Sequence, residues 1–255
     1  MDTLLVCSQS TRKFLSDYKK IKVVSSVPNI NILDEVDSVE NVVAIGGGAV
    51  IDTAKIMSKN PIVCYPTTAA GSSATSWSVY WDGNNKLSIK RLMPSKVEFK
   101  KIFVENLPSN VVMSTTCDVI SHCIDSLISI KATSESKKYC NDAMRIIKSK
   151  RHNIDLIKAG HIAGKAIEIT GTNLLHSLSY PLTGYYGISH GSALGYFLPK
   201  ISKFLGFNID ALIKDFNISL KDVDLDFVIN QAFKYDKIKE CKIKINFKLI
   251  RELYD

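Results

Sequence analysis

Residues 41–55 read NVVAIGGGAVIDTAK, and this stretch decides the fold. A short apolar run enters three consecutive glycines, Gly46, Gly47 and Gly48, and a helix starts at Ala49. Glycines at a strand-to-helix turn let a backbone approach a pyrophosphate. The helix N-terminus adds free N–H groups and a favourable dipole. The spacing is not GxGxxG, so the same residues also read as a tight turn whose glycines serve only positive φ.

Outward from this turn the pattern repeats. TLLVCS (3–8) reads as a strand followed by a helix over 11–20, KVVSS as a second strand, and the segment after Pro28 as a short acidic helix. Downstream, PIVCYPTTAA (61–70) is a buried strand running into a loop, and WSVYWDGNNKLSIK (77–90) is a hairpin turning at Gly83-Asn84-Asn85. Strands alternating with helices predict a parallel, Rossmann-like α/β sheet. After Pro108 apolar residues recur at helical spacing. Helices are expected over Cys117–Ile130, Lys137–Ile146 and Ala159–Leu178, from His190 onward, and in the 203–255 tail. The organisation expected is an α/β dinucleotide-binding domain, 1–107, followed by an all-α metal-binding domain, 108–255.

Bulk properties narrow the function classes. The chain has 255 residues, 45% hydrophobic and 23% charged, as in an ordinary globular protein. Its net charge is +8, but no arginine-rich arm or aromatic-interleaved basic stretch accompanies it, so nucleic-acid binding is not expected. Six scattered cysteines without a CxxC pair, no basic leader and no apolar run of membrane-span length point to a cytoplasmic protein with free thiols and no membrane partner.

The chemistry concentrates in four residues. Asp118 and His122, in TCDVISHCIDS, stand at i and i+4 on one helix face; His176 and His190 bracket HSLSYPLTGYYGISH, whose Pro181, Gly184 and Gly187 let the chain turn back. One carboxylate and three imidazoles suit a divalent metal such as iron or zinc, and such an ion polarises a carbonyl. His152 and His161 read as ordinary surface or core histidines, and Cys117 and Cys123 as small core residues. The loop PTTAAGSSATS (66–76) offers small hydroxyl side chains beside the glycine turn, although its composition alone fits a plain loop.

GGGAVIDTAK, PTTAAGSSATS, the Asp118/His122 pair and HSLSYPLTGYYGISHG together resemble the iron-dependent (group III) alcohol dehydrogenases, in order along roughly residues 40–200. The resemblance implies the dehydroquinate synthase-like fold with a cleft between its two domains. It also implies NAD(P)H-dependent interconversion of an aldehyde and an alcohol. Carried over by position, it makes Asp118, His122, His176 and His190 the ligands of Fe2+, with Zn2+ the alternative. Gly46, Gly47, Gly48, Asp52, Thr67, Thr68 and Ser72 become cofactor contacts, and a homodimer is implied. AIEITGTNLLHSLSYPLTGYYGISHG and WDGNNKLSI are similar to the phosphonoacetaldehyde reductase branch, where Lys86, Lys90 or Arg91 offers an anion contact unless the hairpin is simply solvated.

The departures from the family pattern are specific. The chain is compressed before the glycine turn and after Pro199. Ser73 or Ala74 stands where a glutamate is customary, and Tyr180 where many relatives place a histidine near the nicotinamide. Ser8 replaces a ribose-binding acid, which admits NADPH as well as NADH. Tyr180 is a candidate to orient the nicotinamide or relay a proton, or else a packed aromatic. A general alcohol dehydrogenase, a shortened non-catalytic relative and a lyase of the dehydroquinate synthase type are the competing functions.

Overall fold

A computed structural model describes residues 3–15, 18–150, 152–214, 218 and 220–254. The elements are β1 (Thr3–Ser8), α1 (Gln9–Arg12), β2 (Ile21–Val24), β3 (Asn41–Gly46), α2 (Gly48–Met57), β4 (Val63–Pro66), β5 (Trp77–Asp82), β6 (Asn85–Lys90), β7 (Lys96–Val97), α3 (Ser109–Ile128), α4 (Ser134–Lys148), α5 (Asn153–Thr170), α6 (Leu174–Tyr186), α7 (His190–Phe204), α8 (Asp210–Ile213), α9 (Leu225–Ala232) and α10 (Phe247–Glu252). Short 3-10 turns cover Ile30–Glu35, Ser72–Ala74, Lys101–Phe103 and Asp236–Glu240.

The sheet is parallel throughout, in the order β2-β1-β3-β4-β7, with Leu5 facing both Ile21 and Val43, and Gly46 facing Pro66. Its alternation is two-sided. Val6, Val42 and Ala44 pack with Val50, Ile51 and Ala54 of α2, while Leu5, Cys7 and Ile45 point to the opposite face with Leu15. The chain crosses from β1 to β2 on one side and returns to β3 on the other. Ligands of such sheets bind at this switch point, beyond the C-terminal strand ends, and those ends are Ser8 and Gly46.

Three local expectations are corrected. Residues 16 and 17 of the helix expected over 11–20 lie outside the described residues; among the described ones it is the single turn Gln9–Arg12, because β2 begins at Ile21 and a helix to Lys20 would leave no residues for the turn back into the sheet. The helix expected over 159–178 is two helices. Gly171, at φ 70°, ends α5, and Asn173 caps α6 through its bond from Leu174 N–H. The hairpin turns on Gly83-Asn84 alone, since Asp82 and Asn85 are already paired.

The helical elements build the largest core, around Val119, Ile120, Ile124, Leu156, Leu178 and Phe197. By length and composition α3 is apolar enough to cross a membrane, contrary to the sequence expectation, but 72% of that window is buried inside the protein. It is the central helix of the core, and it carries the polar residues that matter most.

Candidate active site

Asp118, His122 and Asp125 are at i, i+4 and i+7 on α3 and share one buried face. His176 is the third residue of α6, and His190 is the first of α7. Two close approaches bring α7 to α3. A Cβ at Gly191 would lie 1.9 Å from Ser114 Oγ and 2.5 Å from the Ser114 carbonyl oxygen, so only glycine lets α7 settle there, and one at Gly195 would lie 3.1 Å from Cys117 Sγ. Ser114 is one turn before Asp118, which puts His190 beside that carboxylate.

The result is a convergence on Asp118. Its Oδ1 lies 3.3 Å from His176 Nε2, 3.4 Å from His122 Nε2 and 3.8 Å from His190 Nε2. The ligand atoms of Asp118, His176 and His190 fall within 4.8 Å of one another. His122 adjoins this group through Asp118, with its ring stacked on His176 at 4.6 Å. Tautomers follow from the outer partners. His176 Nδ1–H donates to Asp125 Oδ2 at 2.9 Å, so its Nε2 lone pair faces inward. Ser179 Oγ donates to the His176 carbonyl at 2.8 Å, which leaves its lone pair to accept from His190 Nδ1 at 3.4 Å.

Electrostatics match this arrangement. Burial pushes the Asp118 carboxyl up, but the imidazoles, His122 foremost, more than reverse this and hold it below the usual range. Burial pushes His122 down to about 4, opposed only in part by Asp118. Burial and the Lys86 ammonium drive His190 well below its ordinary value. Burial also disfavours charge on His176, yet its bonds to Asp118 and Asp125 raise it. Near neutrality the group is therefore a carboxylate beside neutral His122 and His190, with His176 the imidazole that keeps a proton most readily. Among the described residues no lysine or arginine pairs with this carboxylate, and His122 Nδ1 is buried without a partner. This donor set fits a divalent ion.

Asp125 escaped the sequence reading. It is fully buried, and its carboxylate accepts from the N–H groups of Asn173 at 2.8 Å, Leu175 at 2.9 Å and His176 at 3.3 Å. It thus caps α6 from another helix while orienting His176. The signal was present in DVISHCID, where Asp125 continues the ligand face.

A cavity of about 530 Å³ runs from these residues to the glycine turn, and Gly48, Asp52 and Ser72 border it together with Asp118, His176 and Tyr180. None of Gly46, Gly47 or Gly48 has positive φ. They are small for contact: a Cβ at Gly46 would lie 2.5 Å from Val50, one at Gly47 2.8 Å from Thr68 Oγ1, and one at Gly48 3.2 Å from Ser72 Oγ. The turn and the 66–76 loop are thereby locked together, and no side chain caps the α2 N-terminus. On the far side the loop rests on α5, where Cβ atoms at Gly160 and Gly164 would meet the carbonyls of Ala69 and Gly71 at 2.4 and 2.5 Å. Gly46, Gly47, Thr67 and Thr68 do not line this cavity, Gly47 and Thr68 being half-buried beside it.

Asp52 is paired with the fully buried Lys55 at 3.2 Å, and Lys55 Nζ donates to the carbonyls of Ser72 (3.1 Å), Thr75 (3.3 Å) and Trp77. That pair holds the loop shut. Ser73 turns away to bond His161 Nδ1 at 3.0 Å, which leaves His161 a satisfied core residue. Ser8 caps α1, accepting from Thr11 N–H at 3.3 Å. Tyr180 borders the cavity with its hydroxyl 3.4 Å from Thr172 Oγ1. Of the three hairpin cations, Arg91 is tied to Asp37 and to the carbonyls of Lys55 (3.2 Å) and Ser58 (3.3 Å), Lys90 is exposed, and Lys86 alone faces the cavity. The solvated reading of the hairpin therefore fails for Lys86 and Arg91.

Comparison with known proteins adds three findings. The sequence profile of the Fe-containing alcohol dehydrogenase family, C-terminal part, matches residues 112–242. Among characterised relatives, a 4-hydroxybutyrate dehydrogenase of Clostridium kluyveri is 25% identical over 80% of this chain and 64% of its own length, and a phosphonoacetaldehyde reductase of Streptomyces viridochromogenes is 26% identical over 64% and 52%. The chain thus spans between half and two thirds of these relatives. The crystal structure of a sulfoacetaldehyde reductase from Bifidobacterium kashiwanohense in complex with NAD+ superposes with a TM-score of 0.81 at 20% identity, covering 99% of this chain and 90% of that one.

Proposed function

The chain belongs to the Fe-containing alcohol dehydrogenase family, and from that premise we propose that it is a metal-dependent NAD(P)H oxidoreductase interconverting an aldehyde and a primary alcohol. The observation that carries this is the joining of two half-sites by one cavity: Asp118 with its imidazoles at one end, and the uncapped N-terminus of α2 at the other. Asp118, His122, His176 and His190 would hold a divalent ion, which would supply Lewis acidity at a carbonyl oxygen, and a reduced nicotinamide bound along the cavity would supply the hydride.

The protein's own groups do the rest. The N–H groups of Gly48 and Ala49 bind phosphate oxygens at the start of α2. The 66–76 loop, clamped by Lys55, fixes the wall along which the cofactor lies. Asp125 and Ser179 hold His176 and His190 with their Nε2 atoms inward. Apolar walls around the cavity limit water and strengthen these interactions. Ser8 places no carboxylate at the β1 end to repel a 2′-phosphate, so NADPH is as good a candidate as NADH. Tyr180, beside His190, orients the nicotinamide or passes a proton through Thr172. The similarity to the phosphonoacetaldehyde reductase supports phosphonoacetaldehyde as the substrate and 2-hydroxyethylphosphonate as the product.

The test has two parts. Metal-loaded protein is mixed with NADH or NADPH and a panel of aldehydes, phosphonoacetaldehyde included, and the loss of nicotinamide absorbance is followed. Oxidation with none of them favours the non-catalytic reading. In the second part, His190→Ala is expected to lose most of its bound metal and reductase activity; retention of both in full refutes the ligand assignment.

A further inference from the structure

One part of the cavity carries a charge that the reaction as described does not use. Lys86 of β6, Lys131 after α3 and Lys237 of the 3-10 segment Asp236–Glu240 all border it. The acids bordering it are all engaged. Asp118 faces the imidazoles, Asp52 pairs with Lys55, Glu168 accepts from Ser76 N–H at 2.9 Å and from Ser76 Oγ at 2.6 Å, and Glu240 pairs with Lys131 at 2.6 Å. Lys86 and Lys237 remain; among the described residues neither forms a salt bridge, and burial, opposed only in part by Glu240 and Asp125, pushes the Lys237 ammonium down.

These two lysines come from distant parts of the chain to one cavity. The Lys86 ammonium lies 4.7 Å from the centre of the Tyr180 ring, and that ring stacks on His190 at 6.1 Å. Tyr180 also meets Tyr235 edge-on at 5.1 Å, and Tyr235 opens the segment that carries Lys237. The segment is pinned to the C-terminal end of α3 by backbone bonds from Ile130 N–H to Glu240 O and from Lys242 N–H to Ile128 O, both 2.8 Å. The hairpin and the C-terminal segment thus close over the same aromatic ring, one step from a proposed metal ligand.

We infer that Lys86 and Lys237 form the anion-binding end of the substrate site, so that the substrate is a short aldehyde carrying a negative group at its far end. The inference rests on the reductase reading. Two unpaired ammonium groups in a partly dry cavity attract an anion, and an anion arriving there satisfies both. Ammonium groups are point charges without a planar fork, so they suit a many-oxygen phosphonate or sulfonate at least as well as a carboxylate. Because Lys86 and His190 flank one ring, a short carbon chain spans the anion site and the reacting carbonyl.

The experiment uses the full-length, metal-loaded protein and the variants Lys86→Met, Lys237→Met and, on the same hairpin outside the cavity, Lys90→Met. The first readout is kcat/KM for phosphonoacetaldehyde divided by kcat/KM for propanal. The second, independent of turnover, is calorimetric binding of 2-hydroxyethylphosphonate; the third is the Kd of the reduced nicotinamide. Lys86→Met and Lys237→Met should each lower the ratio at least about tenfold and weaken the phosphonate by a similar factor, the size of one lost charge-assisted contact. Lys90→Met should change neither. An unchanged ratio, or a loss in cofactor affinity in place of phosphonate affinity, overturns the inference. If the wild type reduces neither aldehyde, the reductase reading fails by itself, and calorimetry still decides the anion site: tenfold weaker phosphonate binding in the two variants upholds it, and equal or absent binding overturns it.

Discussion

Asp125→Asn separates the two duties of that carboxylate. In the wild type Oδ2 accepts from Asn173 N–H, His176 N–H and His176 Nδ1–H, and Oδ1 accepts from Leu175 N–H. An amide keeps one oxygen, so at least one of these buried donors then faces an NH2 group. An orphaned buried donor costs about 1–3 kcal/mol. Loss of the negative charge at the N-terminus of α6 adds about 1–2 kcal/mol in so buried a position. The sum is on the order of 3 kcal/mol, and at about 2–4 °C per kcal/mol for a chain of this size the metal-free protein should melt about 6–12 °C lower. The bonds that remain are also weaker, because the acceptor is neutral. His176 is then less firmly held and less basic, and metal affinity should fall about 10–100-fold. Differential scanning calorimetry of the metal-free protein measures the first effect, and chelator competition for Zn2+ measures the second. A variant that melts lower but binds Zn2+ within about twofold of wild type refutes the orienting role and leaves Asp125 as a helix cap only.

Other expectations follow from the same geometry. Gly160→Ala would drive a methyl group into the backbone of Ala69 at 2.4 Å; overpacking against a fixed backbone costs about 1–3 kcal/mol or more, seen as a lower Tm, and an unchanged Tm would mean the loop does not rest on α5 as described. Burial, helped by Lys165, pushes His161 down to about 4. The unfolded chain takes up its proton near the ordinary histidine pKa of about 6.5, so His161 contributes stability above that pH which is lost as pH falls toward 4. His161→Asn should therefore flatten the acid limb of Tm against pH over this window, and an identical limb would contradict the assignment. All six cysteines are buried and free, so a thiol reagent should label them only after denaturant is added; rapid labelling of the native protein would refute their burial.

Much of this molecule was legible residue by residue. The alternation around NVVAIGGGAVIDTAK announced a parallel α/β sheet, because strand and helix periods are written in neighbouring residues. The spacing of Asp118 and His122 announced a shared helix face for the same reason. The glycine turn was legible as a turn, but its physical cause was not: Gly46, Gly47 and Gly48 are small for contact with Val50, Thr68 and Ser72, not for positive φ. The break between α5 and α6 was missed because Gly171 and Asn173 interrupt an apolar pattern that continues unbroken on both sides.

The sequence by itself determined the sheet type, the helical character of the C-terminal half and the residue types able to hold a metal, since each depends on short-range periodicity and side-chain chemistry. Only the tertiary structure decided which groups support and complete the site. Asp125 finds His176, α7 reaches α3 through Gly191, and Lys86 meets Tyr180, which packs on Tyr235 beside Lys237. Each of these is a contact between distant segments, set by how closely helices and loops can pack, and no local pattern along the chain records that distance.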